Sequence, residues 1–125
     1  MDRNLLPATY AQRLTNYLAG GTIEPLLSLF DEHAIVERYV YGEPPRRYSG
    51  IEQIEESLLR LPPTGGSFHI TNVHIEEDAV HARFVTHDFP YPLRGLYRFE
   101  LTPSGRIARL YVAARYNRAA AAHSA

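Results

Sequence analysis

The chain has 125 residues, 45% of them hydrophobic and 22% charged, with a net charge of -1. That is one domain with room for a real core and no general electrostatic pull toward nucleic acid or an anionic membrane. Cysteine is absent and all 13 basic residues are arginine, which excludes disulfides, thiol nucleophiles, cysteine-ligated metal and Schiff-base chemistry on lysine.

Any catalytic acid or base must therefore be Asp, Glu, His or Tyr. No apolar run approaches membrane-spanning length, and the opening MDRNLLPATY lacks a signal-peptide core. The expectation is a cytoplasmic protein without membrane association.

The first predicted helix runs from about Pro7 to Ala19, with Tyr10, Leu14, Tyr17 and Leu18 on one stripe. Pro7 suits its first turn, and Gly20-Gly21 stops it. Thr22 is a fair N-cap for a second helix carrying Ile23, Leu26, Leu27 and Phe30. Ala34 to Tyr41 reads as a strand, and Gly42-Glu43-Pro44-Pro45-Arg46-Arg47 as a loop. Ser49 and Glu52 form a capping-box pattern that opens a third helix burying Ile51, Ile54, Leu58 and Leu61. Pro62-Pro63-Thr64-Gly65-Gly66 ends it.

The period then changes from helical to two. Phe68 to Glu76, Ala79 to Asp88, Leu93 to Leu101 and Ile107 to Arg115 read as four strands. Glu77-Asp78, a kinked segment with Pro90 and Pro92, and Pro103-Ser104-Gly105 connect them. Residues from about Asn117 read as a frayed tail, and nothing repeats, so 1–125 is a single domain. Helices first and a strand meander after them mean an α+β fold. Three N-terminal helices in a strongly curved mixed or antiparallel sheet would make a cone around one apolar cavity.

Three passages carry a resemblance: AQRLTNYLAGG, LFDEHAIVERYVYGEPPRRYSGIEQI and LYRFELTPSGRIARLYV. With the order of elements, they make residues 8 to 116 resemble the ketosteroid isomerase-like, SnoaL-like members of the NTF2-like superfamily. The resemblance implies a cone-shaped fold and a homodimer. Its functions range from isomerases, polyketide cyclases, epoxide hydrolases and dehydratases to noncatalytic proteins. Ketosteroid isomerase uses an Asp base with an oxyanion hole of Tyr and protonated Asp. By position these fall on Arg38, Leu14 and Gly95, so steroid isomerisation by that machinery is not expected. The Asp-Arg-Asp set of the epoxide hydrolase relatives is missing too, since the strand with Arg98 offers Glu100.

Strand alternation proposes a cavity lining. Val36, Arg38 and Val40 point in, as do Val80, Ala82, Phe84, Thr86 and Asp88, then Gly95, Tyr97 and Phe99, and finally Leu110, Val112 and Ala114. Leu14, Leu18, Tyr48, Ile54 and Leu58 complete the expected substrate-binding set from the helices and the third-helix approach. The inward polar groups are Arg38, Thr86, Asp88 and Tyr97. Arg38 cannot lose its proton, and Asp88 is the one acid on this inner face.

Two readings stay open. Asp88 moves a proton while Arg38 and Tyr97 hold a negative oxygen, or Arg38 and Asp88 form a buried ion pair that only closes the cone. Tyr10 and Tyr17 read as core packing, and Arg46-Arg47 as a solvated loop.

His81 and His87 share the outer sheet face, while plain alternation puts His69 and His74 on opposite faces. With no convergent ligand set and no Gly-rich phosphate loop, neither a metal nor an organic cofactor is expected. The outer face, with His81, Arg83, Val85, Arg94, Leu96, Arg109 and Tyr111, suits a homodimer interface better than nucleic acid. The expected function is cofactor-free isomerisation, cyclisation or dehydration of a small apolar oxygenated molecule of polyketide, steroid or terpenoid type. The alternative is a noncatalytic ligand-binding or dimerisation domain.

Overall fold

A computed structural model describes residues 2–87 and 92–117. A short 3-10 turn, Arg3–Leu5, runs into α1, Leu6–Leu18. The Asp2 carboxylate starts the turn by accepting the Asn4 N–H. Leu6, Tyr10, Leu14 and Leu18 form the buried stripe of α1. The second predicted helix is shorter than its apolar pattern implies. α2 is the single turn Glu24–Leu27. The Leu29 carbonyl already accepts the Ile107 N–H at 2.8 Å, so the chain leaves the helix for the sheet, and Phe30 begins β1, Phe30–Val40.

Arg46 and Arg47 do not lie in a loop. They belong to β2, Arg46–Ser49, which pairs antiparallel with β1 from Ile35–Ser49 to Arg38–Arg46. A free strand edge beside them overrides their low strand propensity. That pairing also removes the expected capping box. The Ser49 N–H goes to Gln53 Oε1 at 2.8 Å, and α3, Ile51–Leu59, is capped by Gly50 at φ 88° without a side-chain bond. Ile54 is the buried anchor of α3. Ile51 and Leu58 pack at its margin. Leu61 lies past the helix end and is 46% exposed, so it is not buried as expected.

β3, Ser67–Glu76, β4, Ala79–His87, β5, Leu93–Leu101, and β6, Ile107–Tyr116, complete one six-stranded sheet in the order β2-β1-β6-β5-β4-β3. Every neighbouring pair is antiparallel apart from β1 and β6, which run parallel. The β3–β4 turn places Glu77 at φ 51° and Asp78 at φ 63°, the left-handed pair that a two-residue hairpin needs. α1 covers the inner face, so the core lies between its stripe and Phe84, Tyr97, Phe99 and Leu110. This is the α+β cone.

The register shifts between Phe30 and Ile35 on β1, between Glu100 and Leu101 on β5, and on β3, where the shift changes a predicted face. The β3–β4 register shifts between Thr71 and His74, with Asn72 at φ 54°. The extra residue is a β-bulge. His69 therefore faces Val85, and His74 faces His81, so both histidines share the outer face. The expectation of opposite faces fails because alternation counts a residue that the partner strand skips. The expected tail from Asn117 lies, beyond that residue, outside the described residues. The Asn117 N–H itself is held by the Pro92 carbonyl at 2.8 Å.

Candidate functional site

One row of paired residues crosses the inner face: Arg38 on β1, Val112 on β6, Tyr97 on β5 and Ala82 on β4. Arg38 and Tyr97 flank Val112, two strand spacings apart, about 10 Å at the backbone. That is within joint reach of a long guanidinium and a phenol. Arg38 sits on this face because Val36, Arg38 and Val40 follow the parallel register of Leu110, Val112 and Ala114. Its side chain is 37% exposed, and Nη1 lies 3.6 Å from Glu43 Oε1.

Glu43 is thus the carboxylate beside Arg38 among the described residues. Asp88, the expected partner and proton carrier, lies outside them. Glu43 also accepts a hydrogen bond from the Tyr116 hydroxyl through Oε2. One loop carboxylate therefore joins the ends of β1 and β6. The short run Gly42-Glu43 carried no alternation signal, so sequence reasoning passed over it.

Tyr97 is buried, and Tyr10 of α1 meets it edge-on, with centroids 5.4 Å apart and ring planes at 78°. Burial pushes both phenols well above their ordinary pKa, while the Arg38 charge pulls them back down. The Tyr10 hydroxyl also raises Tyr97. Both phenols are neutral at pH 7 and can donate. Neither hydroxyl makes a hydrogen bond to another described residue. Tyr10 was legible as a buried stripe residue. Its second property, a hydroxyl in the field of Arg38, needed the fold.

The other expected lining residues divide by what they touch. Leu14, Leu18, Ile54, Phe84, Phe99, Leu110 and Val112 belong to the buried core cluster, with Tyr48 and Leu58 half-buried against it. Val40 is buried at the end of β1. Phe84 stacks on Tyr97 at 4.3 Å and 18°. The Thr86 hydroxyl is occupied by backbone. It accepts the Leu93 N–H at 2.6 Å and donates to the Leu93 carbonyl at 3.3 Å, which ties the end of β4 to the start of β5. Tyr17 turns its hydroxyl to the Leu58 carbonyl at 3.0 Å.

Gly95 stands where the isomerase pattern calls for a protonated acid. A Cβ there would lie 2.0 Å from the Ala113 carbonyl oxygen and 2.8 Å from Ala114 Cα. The close approach of β5 to β6 thus leaves no room for any side chain at that position.

On the outer face, the Tyr39 and Tyr111 rings lie 5.2 Å apart, and His74 stacks on His81 at 5.1 Å. Among the described residues, no three His, Asp or Glu side chains converge as a metal site. No helix in them is long and apolar enough to cross a membrane.

No protein-family model matches the chain, and no curated protein matches it. Solved structures do match. A candidate SnoaL-like polyketide cyclase from Shewanella putrefaciens CN-32 superposes at TM-score 0.70 and 14% identity, covering 98% of this chain and 95% of the other. A candidate ketosteroid isomerase from Kribbella flavida DSM 17836 gives 0.68 and 14%, covering 91% and 76%. The epoxide hydrolase/cyclase-like enzyme SalBIII, which has a role in pyran ring formation in the polyether salinomycin, gives 0.64 and 15%, covering 96% and 97%. The shared property is the backbone: this chain has the NTF2-like fold that SnoaL-like and ketosteroid isomerase-like proteins are built on.

Proposed function

We propose that the cone interior binds a small, largely apolar, oxygenated molecule and turns it over by cofactor-free acid/base chemistry, as an isomerase or cyclase. The observation that supports this is the convergence of one permanent cation on two buried neutral phenols. Arg38 acts electrostatically on both Tyr10 and Tyr97. A partly exposed guanidinium beside two buried phenol donors is suited to hold an oxygen that becomes negative in an enolate-like transition state. The proton would be moved by a carboxylate, and Asp88 is the residue proposed for it. The solved relatives whose names mention cyclases and isomerases support a reaction class of this kind, on fold likeness alone.

A second reading has its own support. Glu43 is engaged by Arg38 and by Tyr116 at once, which suits a clasp that closes the strand ends of a noncatalytic ligand-binding domain.

A phenolate ligand separates the two readings. 2-Naphthol, followed by fluorescence across its own ionisation, should bind as the anion. Tyr97→Phe and Arg38→Met should each weaken it at least about tenfold, the scale of a lost hydrogen bond to a charged group. Equal binding of naphthol and its neutral methyl ether, unchanged by either variant, would leave the noncatalytic reading.

A further inference from the structure

We propose that the outer sheet face carries a second binding site, for an organic anion with a phosphate or carboxylate group on a flat apolar body. A groove of about 520 Å³ crosses that face, lined by Arg83, Arg94, Arg115, Leu96, Val85 and Tyr41, among others. Its size falls in the range of small-molecule sites. It lies on the far side of the sheet from Arg38 and does not depend on the interior reading.

Among the described residues, no carboxylate compensates the charge in this groove. Arg94 and Arg115 are directly opposite each other on β5 and β6. Arg83 stands opposite Leu96, two residues along β5 from Arg94, so it is diagonal to it. Like charges facing each other across strands destabilise a sheet. All three are exposed in the single chain, on the same face that the sequence suits to a second copy, so a dimer is one outcome of the test. Three other arginines have acids: Arg38 has Glu43, Arg60 has Glu56 and Arg109 has Glu37, while Arg46, Arg47, Arg98 and Arg106 stand apart from any carboxylate among the described residues. Arg83, Arg94 and Arg115 form no ion pair or hydrogen bond with a carboxylate among the described residues. An anion lying between Arg94 and Arg115 would turn a repulsive pair into a bidentate clamp of the kind guanidinium groups form with phosphate and carboxylate.

The rest of the lining indicates the body of the ligand. Tyr41 is 85% exposed, yet its backbone is pinned to β6 by its N–H to the Ala114 carbonyl at 2.9 Å. It offers an anchored aromatic face beside Arg115. Leu96, 48% exposed, and Val85 supply an apolar floor next to the backbone of Gly95. A planar ring fits against these, with its anionic group on the arginines.

The test is calorimetric titration of the whole chain at low salt with phenyl phosphate, inorganic phosphate and phenol. Phenyl phosphate should bind best and phenol not at all. Arg94→Gln and Arg115→Gln should each weaken phenyl phosphate at least about tenfold, and Arg106→Gln, in the exposed β5–β6 turn, should leave it unchanged. Tyr41→Ala should weaken phenyl phosphate but not inorganic phosphate. Both groove variants should melt no lower than the parent, since each relieves repulsion. Binding that survives the Arg94→Gln, Arg115→Gln double substitution would overturn the proposal, as would no binding at all. So would a short RNA that binds tighter than phenyl phosphate and is lost in the same variants, or a dimer that Arg94→Asp dissociates.

Discussion

Arg38 and Glu43 lie 3.6 Å apart at the exit of β1, and the same carboxylate holds Tyr116 at the end of β6. Both partners are about one-third exposed, so solvent screens the pair and its worth is about 1 kcal/mol or less. A pair that weak leaves the guanidinium available to a ligand that enters beside it.

The proton-transfer proposal predicts different fates for two carboxylates. Incubated in D2O, a cyclic β,γ-unsaturated ketone should gain deuterium next to its carbonyl, as NMR reads directly. Asp88→Asn should slow this at least about a hundredfold, the usual loss when an acid/base group is removed. Glu43→Gln should slow it far less and lower stability by about 1 kcal/mol or less. The reverse ranking would move the base to Glu43.

Alkaline stability follows from the two buried phenols. Their folded pKa values are raised above the ordinary 10.0, so the unfolded chain releases these protons first. Their contribution is complete below about pH 10 and falls as pH rises beyond it. Each phenol should cost about 1.4 kcal/mol per pH unit there. Urea midpoints between pH 9 and 11 check this, and Tyr10→Phe or Tyr97→Phe should each make the decline shallower.

Gly95→Ala should be strongly destabilising, because the new methyl meets backbone rather than a movable side chain. Overpacking of this kind costs about 1–3 kcal/mol. A lower urea midpoint with an unchanged slope is the expected result. Parent-like stability would mean that β5 and β6 separate easily at this row.

At the β3 bulge, Asn72→Val should cost about 1–2 kcal/mol, the scale of forcing an ordinary residue into the left-handed region. Asn72→Gly should be neutral or better. Equal midpoints for all three would show that the bulge relaxes in solution.

Much of this was written in side-chain periodicity. The α1 stripe, five of the six strands and the inward set Phe84, Tyr97, Phe99, Leu110 and Val112 all follow from spacing, because each buries one face of a regular element. What escaped were features set by a partner. Arg46 and Arg47 became a strand because β1 had a free edge. His74 changed faces because of one unpaired residue on β3. The clasp at Glu43 depended on where two strand ends meet. No local pattern encodes any of these.

The parallel pairing of β1 with β6 also orders events during synthesis. β1, residues 30–40, has its inner neighbour in residues 107–116. As the chain emerges, β1 can pair with β2, and β3, β4 and β5 can form their hairpins, while the seam between these halves waits for the last strand. Contacts of such long sequence separation close late. Until then Arg38 and Tyr97 belong to unconnected pieces, so the candidate site comes into being only with the closing step of the fold.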